Sequence, residues 1–167
     1  YLNRDLSLSS DIFKIVRQYP ESNYDNETDG VGIGIGYANG EYGRQSIRYS
    51  LEQRDIIAYS GASSSIVAES GKNILSLFTL GNTIDKSNSR IDPTEGWYLS
   101  NSLGLAGFGG DKKYIKINGA LASYSLIFNE KVTLSLSGKT GYVVGLGQDV
   151  EISDRFILGD STFVGFQ

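Results

Sequence analysis

From Val31 to Tyr37 the chain alternates between a large apolar side chain and none at all: Val31, Ile33, Ile35 and Tyr37 are separated by Gly32, Gly34 and Gly36. A period of two puts all four large residues on one face of an extended strand and leaves the other face bare. Glycine weakens a strand, so three in alternation mark a place where another part of the molecule comes close to the backbone. The Gly-x-Gly-x-Gly run is no nucleotide fingerprint, because it lies inside an alternating strand rather than between strand and helix.

Six further segments read as strands. Residues 6–17 set Leu6, Leu8, Ile12 and Val16 against Ser7, Ser9, Asp11 and Arg17, with Phe13 and Ile15 breaking the pattern. Residues 46–54 place Ile47, Tyr49 and Leu51 opposite Arg48, Glu52 and Arg54. Residues 74–85 alternate poorly. In 97–105, Trp97, Leu99, Leu103 and Leu105 share a face; 114–126 and 132–144 alternate again. Polar loops are expected at 20–30, 59–72 (which contains GASSS) and 86–96. Strands of about ten residues with one apolar face suit a barrel wall between lipid and water. They also suit a soluble β-sandwich, although sandwich strands run nearer five or six residues. On patterning alone both architectures stay open.

Composition narrows the chemistry. With 21 glycines, 11 tyrosines and only 2 prolines, the chain favours strands and turns. It has no cysteine and no histidine, which removes disulfides, thiol chemistry, the commonest general base and the commonest metal ligand. Net charge is −4, from 15 basic and 19 acidic residues, with no basic block to follow a phosphate backbone, so no nucleic-acid partner is expected. No apolar run is long enough for a spanning helix, but a spanning strand needs only about ten alternating residues. The chain starts at Tyr1 and lacks methionine, so it is expected to be a piece of a longer protein.

The candidate sites have bland readings beside sharper ones. Asp25, Glu27, Asp29 and Gly30 imitate the start of a calcium loop, but the twelfth position is Gly36 instead of the bidentate Glu, and an ordinary solvated loop is the expectation. GASSS offers serines without a base and reads as loop. Asp92 is expected to cap the turn before Pro93, and Asp154 to pair with Arg155 or a residue of a barrel lumen. Trp97 and the tyrosines suit interfacial girdles. No catalytic constellation, metal site or cofactor is expected.

Residues 92–96 (DPTEG), running into WYLSNSLGLAG, resemble the Asp-Pro-Thr-x-Gly loop-to-strand passage of the outer-membrane assembly family typified by BamA. Residues 109–117 (GGDKKYIKI) resemble the hairpin that follows, and 1–14 (YLNRDLSLSSDIFK) resemble a strand of the same family. Residues 154–167 (DRFILGDSTFVGFQ) resemble the start of its long sixth extracellular loop, whose tip carries Arg-Gly-Phe. The four passages occur in the family's order and cover nearly the whole chain.

The resemblance implies an all-β fold: an antiparallel transmembrane β-barrel fragment of about seven strands, seen as an open curved sheet with the segment after Val144 folded against its concave face. Residues 1–167 would be part of a C-terminal barrel domain, about strands four to ten of sixteen, with 145–167 the start of loop six. The loop-six motif falls on Asp154, Arg155, Phe156, Gly159, Asp160, Phe163, Val164, Gly165 and Phe166, and the turn motif on Asp92, Pro93, Thr94 and Gly96. Asp160 replaces a family glycine. Val164 stands where the family has the Arg that reaches across the lumen. Either apolar packing of Phe163, Val164 and Phe166 holds this loop, or Asp160 makes a different polar contact.

The implied function is non-enzymatic folding and insertion of other outer-membrane proteins in a Gram-negative outer membrane. The implied partners are unfolded outer-membrane proteins, assembly-complex lipoproteins and the lipid bilayer. The rivals are a related polypeptide-secretion barrel and a soluble β-rich adhesin or binding domain.

Overall fold

The alternating segments form seven strands, each hydrogen-bonded to the next in chain order, all antiparallel in one sheet. They are β1 (Leu6–Tyr19), β2 (Tyr24–Asn39), β3 (Gly43–Ala58), β4 (Gly71–Asp85), β5 (Gly96–Ala106), β6 (Tyr114–Ile127) and β7 (Val132–Gly145). A 3-10 turn (Pro20–Ser22) joins β1 to β2, and a short helix, α1 (Ser64–Glu69), lies between β3 and β4. The computed structural model describes residues 6–128, 132–151 and 154.

Register carries the two-residue period across the sheet. Leu8, Ile35, Ile47, Leu80, Leu103, Ile117 and Tyr142 are successive partners and form one apolar row, a residue from each strand. Leu8, Ile35, Ile47, Leu80, Ile117 and Tyr142 are all exposed, as are Val31, Ile33, Leu51, Leu121, Leu134 and Leu136 on the same face. An uncovered apolar surface of this extent needs a partner, and lipid is one. No second sheet packs over it among the described residues, which removes the sandwich reading. No helix among them is long and apolar enough to cross a membrane.

The opposite face curls inward. Arg54 of β3 and Tyr114 of β6 both donate to Asp154 Oδ1, at 2.7 and 3.2 Å. Three strand spacings separate β3 from β6, about 14 Å in a flat sheet, so the sheet curves around Asp154. Two apolar clusters line this concave face at the β1–β2, β3–β4 and β5–β6 loop end. In one, Ile66 of α1 covers Tyr24 and Ile56; in the other, Val150 packs against Leu75, Ala106 and Tyr114. Val150 and Asp154, beyond β7, therefore lie in the concavity, on the face the resemblance implied.

Beneath these plugs β2 is bare, and its neighbours use the space. Arg48 of β3 crosses Gly32 to reach Asp11 of β1 in a two-pronged contact, with nitrogen–oxygen distances of 2.7 and 2.6 Å. A Cβ on Gly32 would lie 2.3 Å from Arg48 Nη2. Phe13, one of the residues that broke the alternation of β1, covers Gly30 in the same way. The close approach expected of the glycines is thus made by side chains from both flanking strands.

Two expected loops are corrected. The polar stretch 20–30 is mostly strand: only Pro20–Ser22 and Asn23 turn, Asn23 in the left-handed region at φ 54°. Asp25, Glu27 and Asp29 then alternate outward while Tyr24 faces inward and stacks on Tyr19, ring centroids 4.6 Å apart. Lys14 reaches Glu27 and Asp29 at 3.4 and 3.2 Å, so these acids are a cross-strand charge pattern rather than a calcium-type loop. Within 59–72, Ser63 caps α1 by accepting the Ile66 N–H, and burial of Ile66 holds the helix on the sheet. The poor alternation of β4 has a cause too. Leu75 and Leu77 are inward and belong to the cluster under Val150, while Ile74, Phe78 and Leu80 face outward, so both faces are apolar.

Candidate functional site

The concave face holds a buried ionic cluster assembled from three separate parts of the chain. The first part is the inward side of β3, where period two puts Glu52 and Arg54 side by side. Arg54 Nη2 and Nε donate to Glu52 Oε2 at 2.9 and 3.2 Å.

The second part is the 107–113 connection. β5 ends before β4 does, and this connection takes over the exposed β4 edge. Gly107 N–H donates to the Ser76 carbonyl at 3.2 Å and Asp111 N–H to the Ile74 carbonyl at 2.8 Å, while the Asp111 carboxylate accepts the Ile74 N–H at 2.7 Å. Gly110 lies so close that a Cβ would stand 2.7 Å from the Ile74 carbonyl oxygen. This packing turns Lys112 into the concavity, where its side chain is only 2% exposed. Tyr114 and Lys116 follow on the inward face of β6.

The third part is the segment after β7. Leu146 N–H bonds the Lys113 carbonyl at 2.9 Å, the chain doubles back over Gly145, and Val150 docks on its cluster. Asp154 N–H then closes on the Glu151 carbonyl at 3.0 Å.

These parts meet at Asp154, whose side chain is 2% exposed. Its carboxylate accepts from Arg54 at 2.7 Å and Tyr114 at 3.2 Å and lies 3.2 Å from Lys112 Nζ. Its carbonyl accepts from Lys116 Nζ at 3.0 Å. Lys112 also donates to Glu151 at 2.6 Å. Arg54, Lys112 and Lys116 thus face Glu52, Glu151 and Asp154, three positive groups against three negative ones. Such a cluster is stable only when complete, because a charge left alone in a dry site keeps its desolvation cost. Among the described residues every buried side-chain polar atom has a hydrogen-bond partner. The carboxylates are each committed to cations, and no described group of three or more acids is placed to hold a metal ion. What the arrangement does chemically is fix the segment after β7 to two distant strands.

Of the residues expected from sequence, Asp154 is at the centre of this cluster. Arg155, Phe156, Gly159, Asp160, Phe163, Val164, Gly165 and Phe166 lie outside the described residues. Asp92, Pro93 and Thr94 sit in the β4–β5 connection and Gly96 opens β5, at the opposite end of the sheet, so the two motifs are not brought together. In that connection the acceptors are Asn88 and Ser89. Asn88 Oδ1 takes the Thr94 and Glu95 N–H groups at 3.0 and 3.1 Å, and Ser89 Oγ takes that of Asp92 at 3.2 Å. Asp92 thus enters through its backbone, where a side-chain cap was expected. Gly96 has φ 95°, and a Cβ there would stand 2.1 Å from the Lys86 carbonyl oxygen, so only glycine fits. Lys112, Tyr114 and Glu151 were not singled out from sequence; the even spacing of Lys112, Tyr114 and Lys116 is the local signal that they share a face.

A family model describing the Omp85 superfamily domain matches residues 1–167, the whole chain. The chain belongs to the Omp85 superfamily. Members of this superfamily reside in the outer membranes of bacteria or mitochondria. The Omp85 domain is similar to a SAM50-like protein of Schizosaccharomyces pombe, 29% identical over 84% of this chain and 31% of that protein. It is also similar to the outer membrane protein assembly factor BamA of Neorickettsia risticii, 28% identical over 70% of this chain and 16% of that one. The chain therefore spans less than a third of the length of either relative. An open seven-stranded antiparallel sheet, apolar outside and polar within, is the architecture expected of part of an Omp85 barrel.

Proposed function

We propose that this Omp85 domain is part of a barrel that folds and inserts other outer-membrane proteins in a Gram-negative outer membrane, without enzymatic chemistry. The chain supplies about strands four to ten of sixteen, and residues 145–167 begin the sixth loop. A barrel of this kind offers a strand edge to an incoming polypeptide, which pairs by β-augmentation and so satisfies its backbone groups in lipid. Unfolded outer-membrane proteins are the substrates, and assembly-complex lipoproteins are the accessory partners.

The observation that carries the reading is the burial of Asp154 among Arg54, Lys112 and Tyr114, which ties the opening of the loop to the inside of the wall. The similarity to BamA, an outer membrane protein assembly factor, supports it. The test replaces the full-length protein in its own cell by an Asp154→Asn variant and follows outer-membrane proteins by heat-modifiable electrophoretic mobility. Loss of folded outer-membrane proteins is expected. Normal levels of these, with a secreted polypeptide retained in the periplasm, would move the assignment to a secretion barrel.

A further inference from the structure

The outward apolar face ends on a positive charge. Ile84 of β4 and Leu99 of β5 are its last opposed apolar pair before the β4–β5 connection. The ladder runs two residues past them. The Lys86 N–H donates to the Trp97 carbonyl at 2.8 Å, and the Asp85 N–H to the Tyr42 carbonyl at 2.9 Å. Parity therefore puts Lys86 and Trp97 on the outward face, about 7 Å beyond Ile84 and Leu99. Tyr42, from the β2–β3 turn, joins them. The Lys86 ammonium lies over both rings, 5.5 Å from the centre of Tyr42 and 5.5 Å from that of Trp97. No carboxylate pairs with Lys86 among the described residues. The neighbouring acids are engaged elsewhere: Glu41 and Asp85 line a cavity with the inward residues Ser7, Arg44 and Tyr98, and Asp85 holds Ser87 and Arg90.

The rings hold the ammonium at the height where the apolar face stops, and Trp and Tyr are the residue types that favour the headgroup level. A single exposed ammonium holds a free anion weakly in water. An amphiphile gains more, because its anionic head meets the ammonium while its acyl chains lie on Ile84 and Leu99. We propose that Tyr42, Lys86 and Trp97 form a headgroup site for a glycerophospholipid, with its phosphate on the Lys86 ammonium and its acyl chains along the apolar rows of β4 and β5. The site goes beyond barrel assembly and rests only on the outward face being turned to lipid.

The test measures lipid bound to the full-length protein in mild detergent by native mass spectrometry, with dioleoylphosphatidylglycerol as the probe. Lys86→Gln is expected to lower its affinity about fivefold, and Lys86→Arg to keep it. Lys139→Gln, inward on β7, is expected to change nothing. Dioleoylglycerol, which lacks the phosphate, is expected to bind wild type and Lys86→Gln alike. Excess inorganic phosphate is expected not to displace the phospholipid. Each variant is expected to keep the heat-modifiable mobility of a folded barrel. Equal phosphatidylglycerol affinity in wild type and Lys86→Gln would overturn the proposal. So would an equal loss with Lys139→Gln, or displacement by inorganic phosphate, which would make this a site for free anions.

Discussion

Asp154 shows what one buried carboxylate does when three groups, Arg54, Lys112 and Tyr114, converge on it. Removing it leaves Arg54 and Lys112 desolvated without their shared partner, a loss of about 3–5 kcal/mol for a buried ion pair. Asp154→Ala is therefore expected to shift the urea midpoint of the micelle-folded protein well below wild type. Adding Arg54→Met to that variant should recover part of the loss, because it removes one of the stranded charges. Strictly additive losses would show that the two groups do not share a site. Gly96 makes a simpler case: with a left-handed φ and the Lys86 carbonyl 2.1 Å from any Cβ, Gly96→Ala is expected to cost about 1–3 kcal/mol by the same midpoint. In sequence Asp154 stands out through its motif, and pairing with a lumen residue was one of its two expected contacts. The identity of that residue, Arg54, was not legible, since 100 positions separate the two.

Elements differ in how much of them is local. β2 was readable because its alternation is extreme, yet its extension back to Tyr24 was hidden by acids that look like a solvated loop. Those acids fit a strand because they all point the same way: Glu27 and Asp29 meet Lys14 across the pair, and Asp25 accepts from the Tyr59 hydroxyl. β4 was hard for the opposite reason, since its inward leucines serve the plug. The bare inward face of β2 has a mechanical consequence. Gly32→Val would push Arg48 off Asp11 and cut the only described ion pair joining β1 to β3. Hydrogen exchange is expected to rise along β1 while β3 and β4 keep their protection, and Arg48→Met should reproduce the pattern. Unchanged exchange in β1 would mean that the backbone ladder alone holds that strand.

At the scale of the whole molecule the two faces answer to different solvents. Ile33→Arg places a charge on the outward face, where a midplane cation costs about 2–4 kcal/mol in a barrel. Ser137→Arg, inward on β7, is expected to be close to neutral. Folding equilibria of the two variants into liposomes compare them, and equal costs would contradict an outward face turned to lipid. Outer-membrane membership of the superfamily agrees with this polarity, which is inverted relative to a water-soluble sheet.

What the sequence by itself determined about this protein is the strand period, the apolar face of each strand and the family passages. All three are local: a side chain's face follows from its parity, and a motif from adjacent residues. Barrel against sandwich, which parity cannot decide, came down to whether a second sheet covers the apolar rows. The ionic cluster was decided only in three dimensions. Curvature of the sheet brings β3, β6 and the segment after β7 to one point, and no local pattern in Glu52, Arg54, Lys112 or Glu151 encodes that meeting.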